Sequence, residues 1–304
     1  MSILLGILTA VVLAAVILAG ILSLPFAVGF LLARLVQALV PLYVLAWFVL
    51  HGRRCGKGWE RLEGVRYAHR GLHGGPAAPE NSLAAFDRAV QRGYGAELDV
   101  HLTADGRLAV IHDADLFRLC GRHGMVEEMT AAELSQVRLE GTEQAIPFLE
   151  EVLALFQGKA PLVVELKSAG GNHAALAEKT MECLDRFPID YCVESFDPRV
   201  LAWLRRKRPE VLRGQLTQNF LKRPEGLSLW NRLALTNLFY NFAARPDFVA
   251  CRFDDRNLPA VRLCRWMGVR SACWTIRTPE ELRTAERERS LPIFECFDPK
   301  EEVC

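Results

Sequence analysis

A surplus of positive charge is missing from this sequence: 37 Lys and Arg stand against 36 Asp and Glu, a net charge of +1. With no basic excess to gather on one face, nucleic acid is excluded as a partner. Paired-cysteine patterns are missing too. The nine cysteines are an odd number, with no CxxC pair and no zinc-type Cys/His spacing, which argues against a disulfide framework or structural zinc and for a reducing compartment. Charge is almost absent from the first fifty residues, where Arg34 is the one charged side chain. No short internal repeat is evident. What remains is 51% hydrophobic and 24% charged, an apolar leader followed by roughly 250 residues of ordinary globular composition, enough for one α/β barrel or two domains.

From Ile3 to Ile21 every residue is apolar, glycine or threonine. At ~1.5 Å per residue that run crosses a ~30 Å hydrocarbon layer. A cleaved signal peptide would want a basic start and a small-residue cleavage site, and Met1-Ser2-Ile3 carries no positive charge. One spanning helix is expected. After Ser23-Leu24-Pro25 a second apolar run, Phe26 to Leu50, is interrupted by Arg34, Gln37 and Pro41. It reads as a second span or an interfacial helix, because an Arg at the bilayer centre costs about 2.5 kcal/mol or more. Arg53, Arg54 and Lys57 follow directly, and basic residues beside a span stay on the cytoplasmic side. Residues 1–51 are therefore expected to be membrane-associated helices, with the large domain in the cytoplasm.

Beyond Gly64 short β-rich runs alternate with amphipathic segments: Val65 to His69, Ala96 to Leu102, Leu108 to His112, Leu162 to Leu166, Tyr191 to Ser195, Leu212 to Leu216, Phe248 to Arg252, Ser271 to Ile276 and Pro292 to Cys296. Strand-helix alternation predicts a parallel sheet, and about eight such units in ~240 residues suit a closed TIM-type (β/α)8 barrel over residues 58–304. Two stretches break the pattern. Asp113 to Ala145 reads as a small insertion rich in Gly, His and Glu. Lys222 to Phe242 carries an apolar and aromatic cluster that reads as a core-facing helix or as a surface for a membrane or a substrate tail.

Glu97 and Asp99 sit two apart in a predicted strand, so both project from one face, and converging carboxylate oxygens suit Mg²⁺ or Ca²⁺. Glu165 and Lys167 repeat that spacing at the end of another strand, adding a third carboxylate and a cation for a phosphate oxygen. His69 and Arg70 follow the first predicted strand, and His112 and Asp113 end the third. In a barrel the active face lies at the C-terminal strand ends, where all of these fall. Burying so many charged groups without a function would be costly. Glu80 and Asn81 fit either a helix-capping turn or a second rank of site residues. His73, His101, His123 and His173 read as loop or surface positions.

The ordered runs His69-Arg70-Gly71, Pro79-Glu80-Asn81-Ser82, Glu97-Leu98-Asp99-Val100, Thr103-Ala104-Asp105-Gly106, His112-Asp113, Glu165-Leu166-Lys167, Ser195-Phe196-Asp197 and Trp274-Thr275 resemble the glycerophosphodiester phosphodiesterase signature. The resemblance spans about residues 64 to 299 and leaves the leader outside. It implies a metal-dependent enzyme that acts on glycerophosphodiesters or lysophospholipids. His69 and His112 would be its acid/base pair, Arg70 and Lys167 would hold the phosphate, Glu97, Asp99 and Glu165 the divalent ion, and Trp274 would line the pocket for the alcohol. Other classes compatible with the barrel are a catalytically idle membrane-bound module and a phospholipase D-like phosphodiesterase. The chain departs from the family pattern at Phe294-Glu295-Cys296-Phe297-Asp298-Pro299, a change expected to touch the barrel rim more than the metal site.

Overall fold

The computed structural model describes residues 2–21, 26–53 and 58–301. Ser23-Leu24-Pro25, Arg54, Lys57 and Cys304 lie outside the described residues. The chain divides into two compact units, Met1–His51 and Gly52–Cys304.

The first unit is a pair of helices, Ser2–Ile21 and Phe26–Leu50. The second helix runs through Arg34 and Pro41 without a break. Its guanidinium is partnered locally: Arg34 Nη1 donates to Gln37 Oε1 at 3.5 Å, and the group stands 5.1 Å from the Phe30 ring centre. Within this helix Val28–Leu50, 23 residues, is long and apolar enough to cross a membrane.

The second unit is built on nine strands: β1 (Tyr67–Ala68), β2 (Gly95–Leu102), β3 (Leu108–Val110), β4 (Leu162–Leu166), β5 (Tyr191–Ser195), β6 (Arg213–Thr217), β7 (Phe248–Arg252), β8 (Arg270–Ile276) and β9 (Ser290–Phe294). Eight of them are parallel neighbours in a ring, closed where β1 pairs with both β2 and β9. This is the expected TIM-type barrel. The third predicted strand has another role. Only five residues join β2 to β3, too few for the dozen or more that a parallel crossover needs. The chain therefore turns at Gly106 (φ +79°) and β3 runs back antiparallel to the upper half of β2. The stretch 111–146 that follows packs its own small core of Ile111, Leu116, Leu119, Val126, Leu134 and Leu139.

Alternation inside the barrel separates floor from mouth. Tyr67, Val163, Phe248, Ala250, Leu291 and Ile293 fill the lower interior, and the turn carrying Trp59 and Leu62 closes the floor. Trp59 lies 5.4 Å from the Phe248 ring. Gly214 is required at this level, since a Cβ there would meet the Phe248 ring at 2.2 Å. Above this greasy floor the inward positions of β2, β4 and β5 turn acidic, and the polar mouth begins. Arg53 serves the barrel as a clamp: its Nε and Nη2 donate to the Asp247 carboxylate at 2.8 and 3.0 Å.

Candidate active site

Strand register assembles the acidic part of the site. Asp99 of β2 is the direct partner of Glu165 of β4, and Glu165 is the partner of Glu194 of β5, so three carboxylates form one layer across adjacent strands. Glu97 lies one pleat below Asp99 on the same face. One oxygen from each of Glu97, Asp99 and Glu165 falls within 4.8 Å of the others. A cation bound at ~2.1–2.5 Å needs its ligand atoms no more than about 5 Å apart, so the expected metal residues do converge.

The cations sit over this layer. Lys167 Nζ lies 2.9 Å from Asp99 Oδ1 and 2.7 Å from Glu165 Oε1. Arg70 Nε is 3.5 Å from Asp99 Oδ2, and the Arg70 backbone N–H donates to Glu97 Oε2 at 3.1 Å. That donation depends on an unusual backbone, because Arg70 has φ +56° and is followed by Gly71 at φ +82°. Asn81, at φ +55°, is buried and donates from Nδ2 to Asp99 Oδ2 at 2.9 Å. Two non-glycine residues held left-handed beside one carboxylate cluster are the kind of strain that accompanies functional sites. Glu80 does not join the carboxylate layer. It accepts from Arg70 Nη1 at 2.8 Å and from Arg118, and so tethers the arginine.

Electrostatics mark the layer as short of positive charge. Burial, reinforced by Asp99 and Glu165, pushes the Glu97 carboxyl well above its usual value. Burial likewise lifts Glu165 to about 7 and raises Glu194, which also feels Glu165. Asp99 is the exception: burial works against its charge, but Lys167, His112, Arg70 and the Asn81 amide together hold it well below the ordinary range. Four carboxylates thus face two permanent cations, Lys167 and Arg70. Oxygen donors in that excess fit a hard divalent ion, which would let the cluster ionise fully.

The two histidines flank the layer. His69 Nε2 stands 3.9 Å from Glu97 Oε2, while its Nδ1 meets Glu295 Oε2 at 2.6 Å. His112 reaches the mouth through the β2–β3 hairpin, not at the end of a barrel stave. Ile111 N–H donates to the Asp99 carbonyl, which brings His112 back level with the carboxylates. Its Nδ1 contacts Asp113 Oδ1 at 2.5 Å. Burial lowers the pKa of both imidazoles, His112 to about 4, so both are neutral near pH 7. A second acidic-histidine grouping, His69, His73 and Glu295, has its charge already balanced, since Glu295 is also engaged by Arg277. Burial would raise the Glu295 carboxyl, yet the hydrogen bonds from His69 and His73 hold it far below its usual value.

These groups open on a cavity of about 580 Å³ lined by His69, Arg70, Glu97, His112, Glu165 and Lys167 on one side and by Phe196, Arg252 and Trp274 on the other. Trp274 packs edge-on to Phe196 at 5.8 Å, with the Arg252 guanidinium 6.0 Å from its ring. The eight residues expected from the sequence therefore surround one mouth. Three others were not anticipated. Glu194 carries the same signal as Glu165, an acidic residue breaking an apolar β run. Glu295 lies in the segment that departs from the family pattern, and it bears on His69 itself and not only on the rim. His101, expected at the surface, is buried in β2, bonded to Glu127 at 2.6 Å and to the His112 carbonyl at 3.2 Å.

The sequence model described as the glycerophosphoryl diester phosphodiesterase family matches residues 69–291. A glycerophosphodiester phosphodiesterase of Bacillus altitudinis is 36% identical over 170 residues, 52% of this chain and 69% of the relative. One from Caldanaerobacter subterraneus is 30% identical over 225 residues, 71% of this chain and 86% of the relative. A lysophospholipase D of Rattus norvegicus is 31% identical over 145 residues, 43% of this chain and 44% of the relative. Among solved structures, a Silicibacter pomeroyi chain superposes with a TM-score of 0.66 at 25% identity, covering 79% of this chain and 94% of its own. An Oleispira antarctica phosphodiesterase, solved with the product sn-glycerol-3-phosphate, gives 0.63 at 23% identity, covering 77% and 93%, and shares the fold.

Proposed function

Because the chain belongs to the glycerophosphoryl diester phosphodiesterase family and is a phosphoric diester hydrolase, we propose that it breaks the P–O bond to the alcohol in glycerophosphodiesters and lysophospholipids. The products are the free alcohol and glycerol 3-phosphate, or lysophosphatidate. The observation that carries this reading is the gathering of three carboxylates, two imidazoles, Arg70 and Lys167 around one cavity. The product bound by the Oleispira enzyme and the lysophospholipase D name of the rat relative belong to the same chemistry.

A Mg²⁺ or Ca²⁺ held by Glu97, Asp99 and Glu165 would polarise a phosphoryl oxygen and spread the charge that builds there. Arg70 and Lys167 offer N–H donors to the non-bridging oxygens, Arg70 as a planar fork and Lys167 as a point charge. Each imidazole has Nδ1 against a carboxylate, which keeps that nitrogen protonated and leaves the Nε2 lone pair facing the cavity. One accepts the proton of the attacking hydroxyl as the new O–P bond forms: water gives glycerol 3-phosphate directly, whereas the neighbouring glycerol hydroxyl gives a cyclic phosphate that a water then opens to glycerol phosphate. The other, neutral at rest, takes up a proton from solvent at Nε2 and passes it to the departing alcohol oxygen as the old bond breaks. Trp274 and Phe196 pack against the carbon skeleton.

Residues 58–304 form the catalytic domain in this reading, and residues 1–51 tie it to a membrane with the barrel on the cytoplasmic side. Arg53, Arg54 and Lys57 beside the apolar helix support that side, as do the described cysteines, which are free thiols.

The test is turnover by the full chain on glycerophosphocholine, glycerophosphoethanolamine and lysophosphatidylcholine, with Mg²⁺, Ca²⁺ or a chelator. Metal-dependent alcohol release is expected. Failure on every diester would refute the reading and favour an idle module.

A further inference from the structure

A second cavity, about 660 Å³, opens beside the catalytic one and shares Ser168, Phe196, Asp197 and Glu225 with it. Its far wall comes from two places. Pro198 and Ala202, at the start of the helix Pro198–Lys207, form one side, and Phe220, Leu227, Leu235 and Tyr240 of the β6–β7 connection form the other. The apolar surface is continuous with the active site. Phe196 stands edge-on to Trp274 at 5.8 Å in the first cavity and to Phe220 at 5.9 Å in the second.

The polar groups in this wall are already occupied. Arg199 is paired with Asp197 at 2.8 Å, Tyr240 donates its hydroxyl to Asn231 at 3.0 Å, and Gln218 donates to Glu225. The wall thus offers methyl groups and rings, with Arg199 and Asp197 paired to each other and the Glu225 carboxylate taken up by the Gln218 amide, and is poorly suited to an anionic ligand. On the outer side of the same connection Leu221, Leu229, Trp230, Phe239 and Phe242 are 40–65% exposed, a cluster large enough to mark a surface that meets lipid. The apolar stretch at Lys222 to Phe242 therefore divides into two faces: Ala234 and Leu238 are core, and the outer ring is not.

We infer that this groove holds the acyl chain of a single-chain glycerophospholipid while its phosphodiester lies against Lys167 and Arg70. The inference rests on the proposed diesterase reading and deepens it, since it makes a lysophospholipid the better substrate than its deacylated counterpart. A methylene fills roughly the ~30 Å³ of a water molecule, so one chain of sixteen carbons needs about 480 Å³, and two would exceed the groove.

The experiment is choline release by the full chain in lipid nanodiscs. It compares glycerophosphocholine, lysophosphatidylcholines of six to twelve acyl carbons held below their micelle concentrations, and diacyl phosphatidylcholine. Each methylene that enters the groove is expected to raise kcat/KM up to about fourfold, with the diacyl lipid a poor substrate. Leu227→Asp and Ala202→Phe should each remove at least tenfold of the gain on the twelve-carbon substrate and leave glycerophosphocholine turnover unchanged. Unchanged glycerophosphocholine turnover also certifies that each variant is folded. Rates independent of chain length, or a gain that survives in both variants, would overturn the groove while the diesterase reading stands. No turnover of any diester would overturn both.

Discussion

Glu295→Gln isolates one hydrogen bond in the proposed chemistry. The wild-type carboxylate meets His69 Nδ1 at 2.6 Å, and the Glu295 side chain is only 11% exposed. A charge-assisted bond of this kind is worth about 1.5–3 kcal/mol. If it is kept through the transition state, its loss should lower kcat/KM by about ten- to 150-fold. The amide also has a donor to offer Nδ1, which would move the imidazole proton to Nε2 and remove the lone pair from the cavity. The carboxylate favours the charged imidazole, so removing it lowers the His69 pKa below a value already depressed by burial. The acid limb of the rate profile, if His69 is the base, therefore shifts to lower pH while the plateau falls. The assay is initial-rate kinetics on glycerophosphocholine from pH 5 to 9, with thermal unfolding as the folding control. A variant within twofold of wild type across that range would refute the positioning role of Glu295.

His112→Ala should cost at least a hundredfold in kcat, the lower end for a lost general acid or base, with an unchanged melting temperature; undiminished turnover would remove the residue from the acid/base pair. In chelated protein, Glu165 is held near 7 against an ordinary value of 4.5, so the folded state keeps a proton that the unfolded state gives up. Its contribution is complete below about pH 4.5 and fades as pH rises through 7, a loss on the order of 3 kcal/mol. Urea midpoints of the metal-free protein should therefore fall between pH 5 and 8, and Glu165→Gln should flatten that slope. A reporter joined after Cys304 should behave as cytoplasmic, and labelling of that end from outside the cell would reverse the orientation.

How much of this was legible in the sequence depended on distance along the chain. Glu97 with Asp99, and Glu165 with Lys167, could be read directly, because strand alternation alone puts residues two apart on one face. That the pairs meet is a matter of register: Asp99 opposite Glu165 opposite Glu194 follows from the stagger of three strands, which no local pattern encodes. Glu194 joins the layer only through that stagger, although the run Tyr191–Ser195 carries the same acidic break as Leu162–Leu166. His112 reaches this mouth by a route the strand pattern does not suggest, since β3 reads as a stave until the five-residue connection before it is weighed. Glu295 lies 226 residues from His69, in a segment where the family pattern offered no guide. The leader was readable from composition, whereas the continuity of Phe26–Leu50 through Arg34 and Pro41 was not.

The central claim is that Glu97, Asp99 and Glu165 share one divalent ion. Titrating the full chain with Mn²⁺ and following the free ion by electron paramagnetic resonance measures this directly. One tightly bound ion per chain is expected, displaced by Mg²⁺ or Ca²⁺ and weakened by more than tenfold in Glu97→Gln, in Asp99→Asn and in Glu165→Gln alike. Binding that persists in all three variants, or no binding by the wild-type chain, would contradict it.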